Sequence, residues 1–192
     1  MTHPESADGE DVRRALAGDR DAFGRLFDRH ARVVRAVVVA VAGDFEAVDD
    51  LTQETFLRAY RRLASLRDAN GFRNWIQGIA RLVAKERLRQ LVRDRELSDD
   101  RDVLLIAKES AGDEVQHAEE QRRVMAAVQQ LPEKERLAVH AYFFHEQNGD
   151  EAAAAIGISR SGFYAALERV LKRLRTLMSD GSRSSENVRN EP

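Results

Sequence analysis

Along most of this 192-residue chain, apolar residues recur three and four positions apart, and only three prolines interrupt the pattern. Because an α-helix turns once in about 3.6 residues, this spacing places apolar side chains on one side of a helix. The valine-rich run from Val33 to Ala42 has strand propensity, yet no second alternating run is available to pair with it. The sequence therefore predicts an all-α protein, with long helices from about Asp21 to Ala42 and from about Phe72 to Val92.

Charge divides the chain into segments. From Arg58 to Arg95 there are eleven Lys or Arg against three Asp or Glu, a net +8 in a protein whose formal total is −2. Such a basic face attracts phosphate. From Glu96 to Glu120 nine acids face two bases, a net −7 that is typical of a solvated linker. We predict an N-terminal extension over 1–18, a helical domain over 19–95, a flexible acidic linker over 96–113, a second helical domain over 114–178 and a disordered tail over 179–192.

Several classes of function are disfavoured. The absence of cysteine excludes disulfides, thiolate metal sites and cysteine nucleophiles. His140 and His145 lie five positions apart and not four, and no phosphate-binding glycine loop accompanies them. We expect no enzyme, metal or cofactor. Met1 to Glu10 lacks the basic start and apolar centre of a secretory signal, and the valine run has about half of the roughly 20 residues that cross a bilayer. We therefore expect a cytoplasmic protein without membrane insertion.

A second motif lies near the C-terminal end. Asn148, with Glu151 three residues later, has the spacing of a capping box and begins a short alanine-rich helix. Gly157 permits a turn, and Ser159 can cap the following helix, which Phe163 anchors from beneath. The pattern favours a DNA-binding helix-turn-helix whose second helix enters a major groove. An ordinary helical hairpin with a capping glycine is the alternative.

Both motifs, in this order and separated by an acidic tether, occur in one family. From about Asp19 to Met178 the chain resembles the small extracytoplasmic-function group of the sigma-70 family, the bacterial factors that give RNA polymerase its promoter specificity. The first part resembles region two through DAFGRLFDRH, DDLTQETFLRAYRRL and FRNWIQGIARLVAKERLR. The second resembles region four through LPEKERLAVHAYF and GISRSGFYAALERVLKRLR. The resemblance implies two helical domains, a region two bundle and a region four helix-turn-helix.

By this resemblance, the DDLTQETF helix docks on the clamp helices of the largest polymerase subunit. Carboxylates and an amide on one helix face can pair with a basic coiled coil, although acids in early helix turns also compensate the helix dipole. The matching docking residues are Asp50, Leu51, Gln53, Glu54 and Phe56.

The loop from Arg67 to Gly71 and the helix after it resemble the part of the family that binds the minus-ten element. This part captures an unpaired base and holds the opened strand, which needs cations along the backbone. For Phe72 and Trp75, core packing is favoured over base stacking. The residues that match the strand-contact role are Arg67, Asp68, Asn70, Arg73, Asn74, Gln77, Arg81 and Lys85.

The helix from Ser159 resembles the reader of the minus-thirty-five element. Two departures from the family pattern affect promoter readout. Leu82 stands where the family commonly has Asn, and Tyr164, Ala165 and Ala166 replace the usual basic and hydroxyl residues. Tyr and Ala suit thymine methyl groups better than guanine. The predicted contact residues are Ser159, Arg160, Ser161, Tyr164 and Arg169.

The resemblance implies core RNA polymerase and promoter DNA as partners, together with an anti-sigma factor as a possible third. It implies no catalysed reaction. Two other hypotheses stay open at this point: a sigma-like adaptor or decoy that binds a regulator without driving transcription, and a stand-alone helix-turn-helix regulator. The acidic linker could follow a basic channel of the polymerase, or it could be a tether held open by self-repulsion.

Overall fold

The computed structural model describes residues 7–97, 124–146 and 148–188. Within these ranges the regular structure is helical and contains no strand, which confirms the predicted all-α class. Short 3₁₀ turns at Leu63–Ser65 and Ala69–Gly71 connect the third and fourth helices. The helices are α1 (Ala7–Leu16), α2 (Arg20–Ala42), α3 (Val48–Arg62), α4 (Phe72–Leu97), α5 (124–129), α6 (Glu133–Phe144), α7 (Gly149–Ile156) and α8 (Arg160–Val188).

Helix α2 is the centre of the fold. The Asp19 carboxylate caps its first turn by accepting from the backbone N–H groups of Asp21 and Ala22, and Gly43 ends it in a left-handed conformation with φ of 69°. Helices α1, α3, α4 and α6 all pack against α2. All six valines of the run are buried, although Arg35 between them is partly exposed, so tertiary packing overrides the strand propensity of Val37, Val38 and their neighbours.

Helix α1 is a feature that the sequence analysis missed, since residues 1–18 were predicted as an extension outside the first domain. Its acids pair with cations of α2. The Asp8 carboxylate lies 2.9 Å from His30 Nε2 and accepts from Arg29 Nε at 3.0 Å, while Asp11 accepts from Arg25 Nε at 2.8 Å. The hydrogen bond from Arg25 holds the pKa of the Asp11 carboxyl below its usual value. Paired acids therefore add α1 to the first helical domain.

Asp44 lies in the turn between α2 and α3. Its side chain does not cap α3, which begins at Val48 with Ala47 at the cap position. The Asp44 carboxylate instead accepts from the Ala47 N–H at 3.0 Å and forms an ion pair with Arg87 of α4, with Nη2 to Oδ2 at 2.9 Å. The carboxylate thus holds the turn against α4, because a charged partner on α4 lies within its reach.

The second helical domain comprises α5 to α8. The predicted cap of α7 is confirmed, since Asn148 Oδ1 accepts from the N–H groups of Asp150 and Glu151 at 3.2 Å each. Gly157 ends α7 with φ of 77°, and the fully buried Phe163 anchors α8 from beneath. These helices form the predicted helix-turn-helix.

Two predicted segment boundaries are corrected. Helix α8 continues to Val188, so most of the tail predicted as disordered over 179–192 is helical in the structure. No proline interrupts 179–188, and one glycine, Gly181, costs only about 1 kcal/mol in a helix. Helix α4 continues to Leu97, into the first two residues of the predicted linker. The remainder of that linker, 98–113, lies outside the described residues.

The two helical domains pack on each other through α2 and α6. Val37 and Val38 of α2 belong to the same buried cluster as Ala138 and Ala141 of α6. Small alanine side chains allow close approach of the helix backbones. In this structure the two domains are in contact, and we call this packing of α2 on α6 the closed arrangement.

Candidate functional site

The five candidate docking residues lie on helix α3, some in the core and some at the surface. Phe56 is buried and Leu51 packs against the core, so both support the helix. Glu54 is partly exposed and accepts from Arg58 Nε at 2.6 Å. Asp50 and Gln53 are exposed. A partner can therefore reach Asp50 and Gln53 directly, whereas Glu54 is already ion-paired.

An apolar groove between α2 and α3 extends this surface. We call it the α2–α3 groove; it encloses about 550 Å³. Phe27, Leu57 and Tyr60 line it and keep 39%, 44% and 49% of their surface exposed, and Gln53 lies at its edge. Contiguous exposed apolar side chains with a polar edge are typical of protein interfaces.

Sequence reasoning missed most of this groove. Phe27 of α2 and Leu57 and Tyr60 of α3 are not among the predicted docking residues. A signal was available, because Gln53, Leu57 and Tyr60 follow the i, i+4, i+7 spacing of one helix face. That face is separate from the buried stripe that contains Thr55 and Ala59.

The loop before α4 presents several of the candidate strand-contact residues. Arg67, Asp68 and Asn70 are exposed, and so are Asn74 and Lys85 on α4. The Asp68 carboxylate accepts from the Asn70 N–H at 3.0 Å, which stabilises the 3₁₀ turn.

Three other candidates, Arg73, Gln77 and Arg81, face the second domain. Arg73 Nη1 donates to the Ala154 carbonyl at 2.9 Å, and Gln77 Nε2 donates to the Ala155 carbonyl at 3.2 Å. The last carbonyls of a helix such as α7 lack donors within the helix and accept readily from side chains. Gln77 is only 4% exposed, so this candidate strand-contact residue is buried against α7 in the closed arrangement.

Arg81 completes this contact through an ion pair. Its Nε lies 3.0 Å from Glu133 Oε1 at the start of α6. Across the same interface, Arg136 Nε donates to the Ala40 carbonyl of α2 at 2.6 Å, and Arg32 pairs with Glu146 at 2.8 Å. The closed arrangement thus covers part of the basic face of α4 with α6 and α7.

Aromatic residues at the start of α4 belong to the packing of the first domain. Phe72 is fully buried, with ring centroids 5.2 Å from His30 and 5.9 Å from Trp75. This agrees with the core role favoured from the sequence. Further along α4, Leu82 and Leu88 keep 41% and 40% of their surface exposed.

The first turns of α8 present the candidate minus-thirty-five residues. Ser159, Arg160, Ser161, Tyr164 and Arg169 are all exposed. Ser159 Oγ accepts from the Gly162 N–H at 3.2 Å, as expected for a cap, and Arg169 lies 3.6 Å from the Glu135 carboxylate. Ala166 is buried, so of the three departing positions only Tyr164 and Ala165 reach the surface.

His140 and His145 of the second domain are buried. Burial, together with the nearby Arg136 cation, lowers the pKa of His140 to about 4. Burial and Arg32 also lower the pKa of His145. Within the described ranges no group of three or more potential ligands could hold a metal ion. In the same ranges, no helix has the length and apolar character needed to cross a membrane.

Comparison with known families agrees with this geometry. The sigma-70 region 2 model matches residues 26–94, and the sigma-70 region 4 model matches residues 121–174. The chain belongs to the sigma-70 family. The region 2 match contains α3 and almost all of α4, and the region 4 match contains the helix-turn-helix.

Two curated relatives from this family are similar over most of the chain. The probable RNA polymerase sigma factor RfaY of Xanthomonas campestris pv. campestris is 32% identical over 92% of this chain and 42% of its own length. The ECF RNA polymerase sigma factor BldN of Streptomyces coelicolor is 31% identical over 90% of this chain and 66% of its own length. The chain therefore spans less than two thirds of either relative. The ECF designation of BldN agrees with the resemblance of this chain to the extracytoplasmic-function group.

A solved structure shares the fold. The structure of CnrH in complex with the cytosolic domain of CnrY aligns with a TM-score of 0.54 and 22% sequence identity, covering 91% of this chain and 99% of that chain. A similarity at this level of identity concerns the fold alone. It agrees with the two helical domains described above.

Proposed function

We propose that this chain is a dissociable sigma factor: it binds core RNA polymerase, recognises two promoter elements and helps to open the DNA duplex. One observation carries the proposal. The first domain presents the α2–α3 groove on one pair of helices and a cationic helix, α4, on another, and the same chain contains an exposed helix-turn-helix. The proposal includes no reaction catalysed by the chain. It places the chain in the cytoplasm with the bacterial chromosome.

The first step is docking on polymerase. Apolar side chains of the α2–α3 groove supply contact area, and Gln53 and Asp50 supply polar contacts at its edge. Buried Phe56 keeps α3 in place and contributes through that support. We thus assign the largest share of docking affinity to Leu57, Tyr60 and Gln53.

The second step is capture of the opened strand. Asn74, Lys85 and the loop residues Arg67 and Asn70 are accessible in the closed arrangement. Arg73, Gln77 and Arg81 are occupied by α6 and α7. If these three contact the strand, the two domains separate before or during promoter opening. A protein that stabilises the closed arrangement would then act as an anti-sigma factor.

Binding to core polymerase tests the docking step. Leu57→Asp places a charge in the α2–α3 groove and is expected to weaken binding at least about tenfold, because charged groups in an apolar contact lose hydration. Leu16→Asp is the matched control, since Leu16 is 49% exposed on α1, outside the groove. Affinity can be measured by fluorescence anisotropy with labelled chain. Equal affinities for both variants and the parent would contradict docking through this groove.

A sigma-like adaptor that binds a regulator without driving transcription is the second candidate, and the closed arrangement favours it because α6 and α7 cover part of the basic face. The two hypotheses differ in promoter opening. A fluorescent base analogue in the minus-ten region brightens on unstacking if the chain and polymerase melt the duplex. No change in fluorescence, with polymerase binding intact, would favour the adaptor.

A further inference from the structure

The ring of Tyr164 on α8 packs against Gly149 at the start of α7. Gly149 begins α7 and lies outside the left-handed region occupied by Gly43 and Gly157, so its backbone does not require glycine. A Cβ atom built on Gly149 would lie 2.5 Å from the hydroxyl oxygen of Tyr164 and 2.7 Å from its Cζ. The ring of Tyr164 therefore occupies the space that any other residue at 149 would fill.

The neighbouring residue Asp150 holds a second side chain of α8. Its Oδ1 lies 3.0 Å from Arg160 Nε. The guanidinium carbon of Arg160 lies 5.8 Å from the centre of the Tyr164 ring, within the usual distance of a cation–π contact. Arg160 is thus placed between a carboxylate of α7 and an aromatic ring of its own helix. Both of its partners are set by the first turn of α7.

This arrangement changes what Arg160 can recognise. Arginine selects guanine by donating two hydrogen bonds to O6 and N7, which requires two free N–H donors directed at the base edge. The Asp150 carboxylate at Nε and the Tyr164 ring hold the guanidinium against the protein, so its donors are directed by these contacts before any base is met, and the carboxylate offsets its charge. The exposed part of the Tyr164 ring, with Ala165 beside it, offers apolar surface that suits a thymine methyl group.

We infer that Gly149 and Asp150 are specificity-determining positioning residues: they hold Tyr164 and Arg160 so that α8 selects thymine and disfavours guanine in the upstream promoter element. The inference rests on the proposed function, since it concerns the helix that reads that element. Neither residue contacts DNA in this mechanism. Each acts through a side chain of α8.

Selection from randomised DNA tests the inference. The full chain, bound to core polymerase, selects duplexes from a library with a randomised upstream element, and the bound fraction is sequenced. The parent is expected to enrich thymine where the first turns of α8 meet the groove. Asp150→Asn releases Arg160 and is expected to raise the guanine preference at one position by about fivefold or more. Glu151→Gln removes the same charge one residue later and is expected to leave the base preference unchanged.

Gly149→Ala tests the other positioning residue in the same selection experiment. The added methyl group displaces the Tyr164 ring, so the thymine preference is expected to fall in the parent background. The same substitution is expected to have no effect on base preference in a Tyr164→Ala background, because the ring is already gone. Thermal unfolding of each variant checks that it folds. If Gly149→Ala does not fold, the base preference of Asp150→Asn alone tests the inference.

Two results would overturn the inference. The first is an unchanged base preference in Asp150→Asn, and the second is an equal effect of Gly149→Ala with and without Tyr164. A parent chain that enriches no sequence although polymerase is present would instead defeat the proposed function, and the inference with it.

Discussion

Replacing Glu133 with lysine is expected to open the two domains and to strengthen binding of single-stranded DNA. In the closed arrangement Glu133 pairs with Arg81, one of the proposed strand-contact residues. The substitution removes that pair and places a second cation beside Arg81. Because Arg81 no longer has a partner in the second domain, the basic face of α4 becomes more accessible.

The magnitude follows from the exposure of the pair. The two side chains keep 35% and 42% of their surface exposed, so the attraction is screened by solvent and contributes about 0.2–1 kcal/mol. Repulsion between two cations about 4 Å apart in water adds about 1 kcal/mol. The sum of about 1–2 kcal/mol changes the ratio of open to closed chain by about five- to thirtyfold. The apparent affinity for the strand rises by the same factor while the open form stays a minority.

Two assays check this. The chain contains no cysteine, so a pair introduced at the exposed positions Ser65 and Lys172 takes dyes specifically, and energy transfer reports the separation of the domains. Fluorescence anisotropy with a labelled oligonucleotide reports affinity. Glu46→Lys makes the same charge change at an exposed site between α2 and α3 and controls for general attraction to phosphate. Equal gains in DNA affinity for both variants, with unchanged energy transfer, would refute the reasoning.

Three further variants test the packing. Phe72→Ala is expected to lower the free energy of unfolding by about 3–5 kcal/mol in urea titrations, because the ring is fully buried. Asn148→Ala removes the cap of α7 and is expected to lower the same quantity by about 1 kcal/mol. His140 has a folded-state pKa of about 4, below its ordinary value of 6.5, so the unfolded chain binds a proton at this residue more readily than the folded chain. The free energy of unfolding is therefore expected to be highest above pH 6.5 and to fall by up to about 3 kcal/mol as the pH is lowered towards 4. In His140→Gln this part of the pH dependence is expected to disappear; an unchanged profile would exclude His140 as its source.

Local patterns predicted the helices and the helix-turn-helix. The cap at Asn148 and the stop at Gly157 depend on residues within one or two turns, and the sequence contains that information directly. The valine run also forms a helix, because no partner strand exists in the described fold and the helices that pack around α2 bury its valines.

Features that depend on distant residues could not be predicted in the same way. Taken alone, the acids of α1 are typical of a solvated segment. Their pairing with Arg25 and Arg29 of α2 is visible only in the folded chain. Gln77 has the spacing of an exposed face, yet the carbonyl of Ala155, distant in sequence, covers it. The ring that occupies the space beside Gly149 comes from another helix. Packing between helices determines each of these three features, and the periodicity of a single helix contains no information about that packing.

Transcription in vitro tests the central claim most directly. Core RNA polymerase is incubated with a pool of promoter fragments, with and without the chain, and transcript ends are sequenced. A sigma factor is expected to produce transcripts that start at a fixed distance downstream of a shared sequence element, only when the chain is present. Identical transcripts with and without the chain, under conditions in which the chain binds polymerase, would contradict the claim.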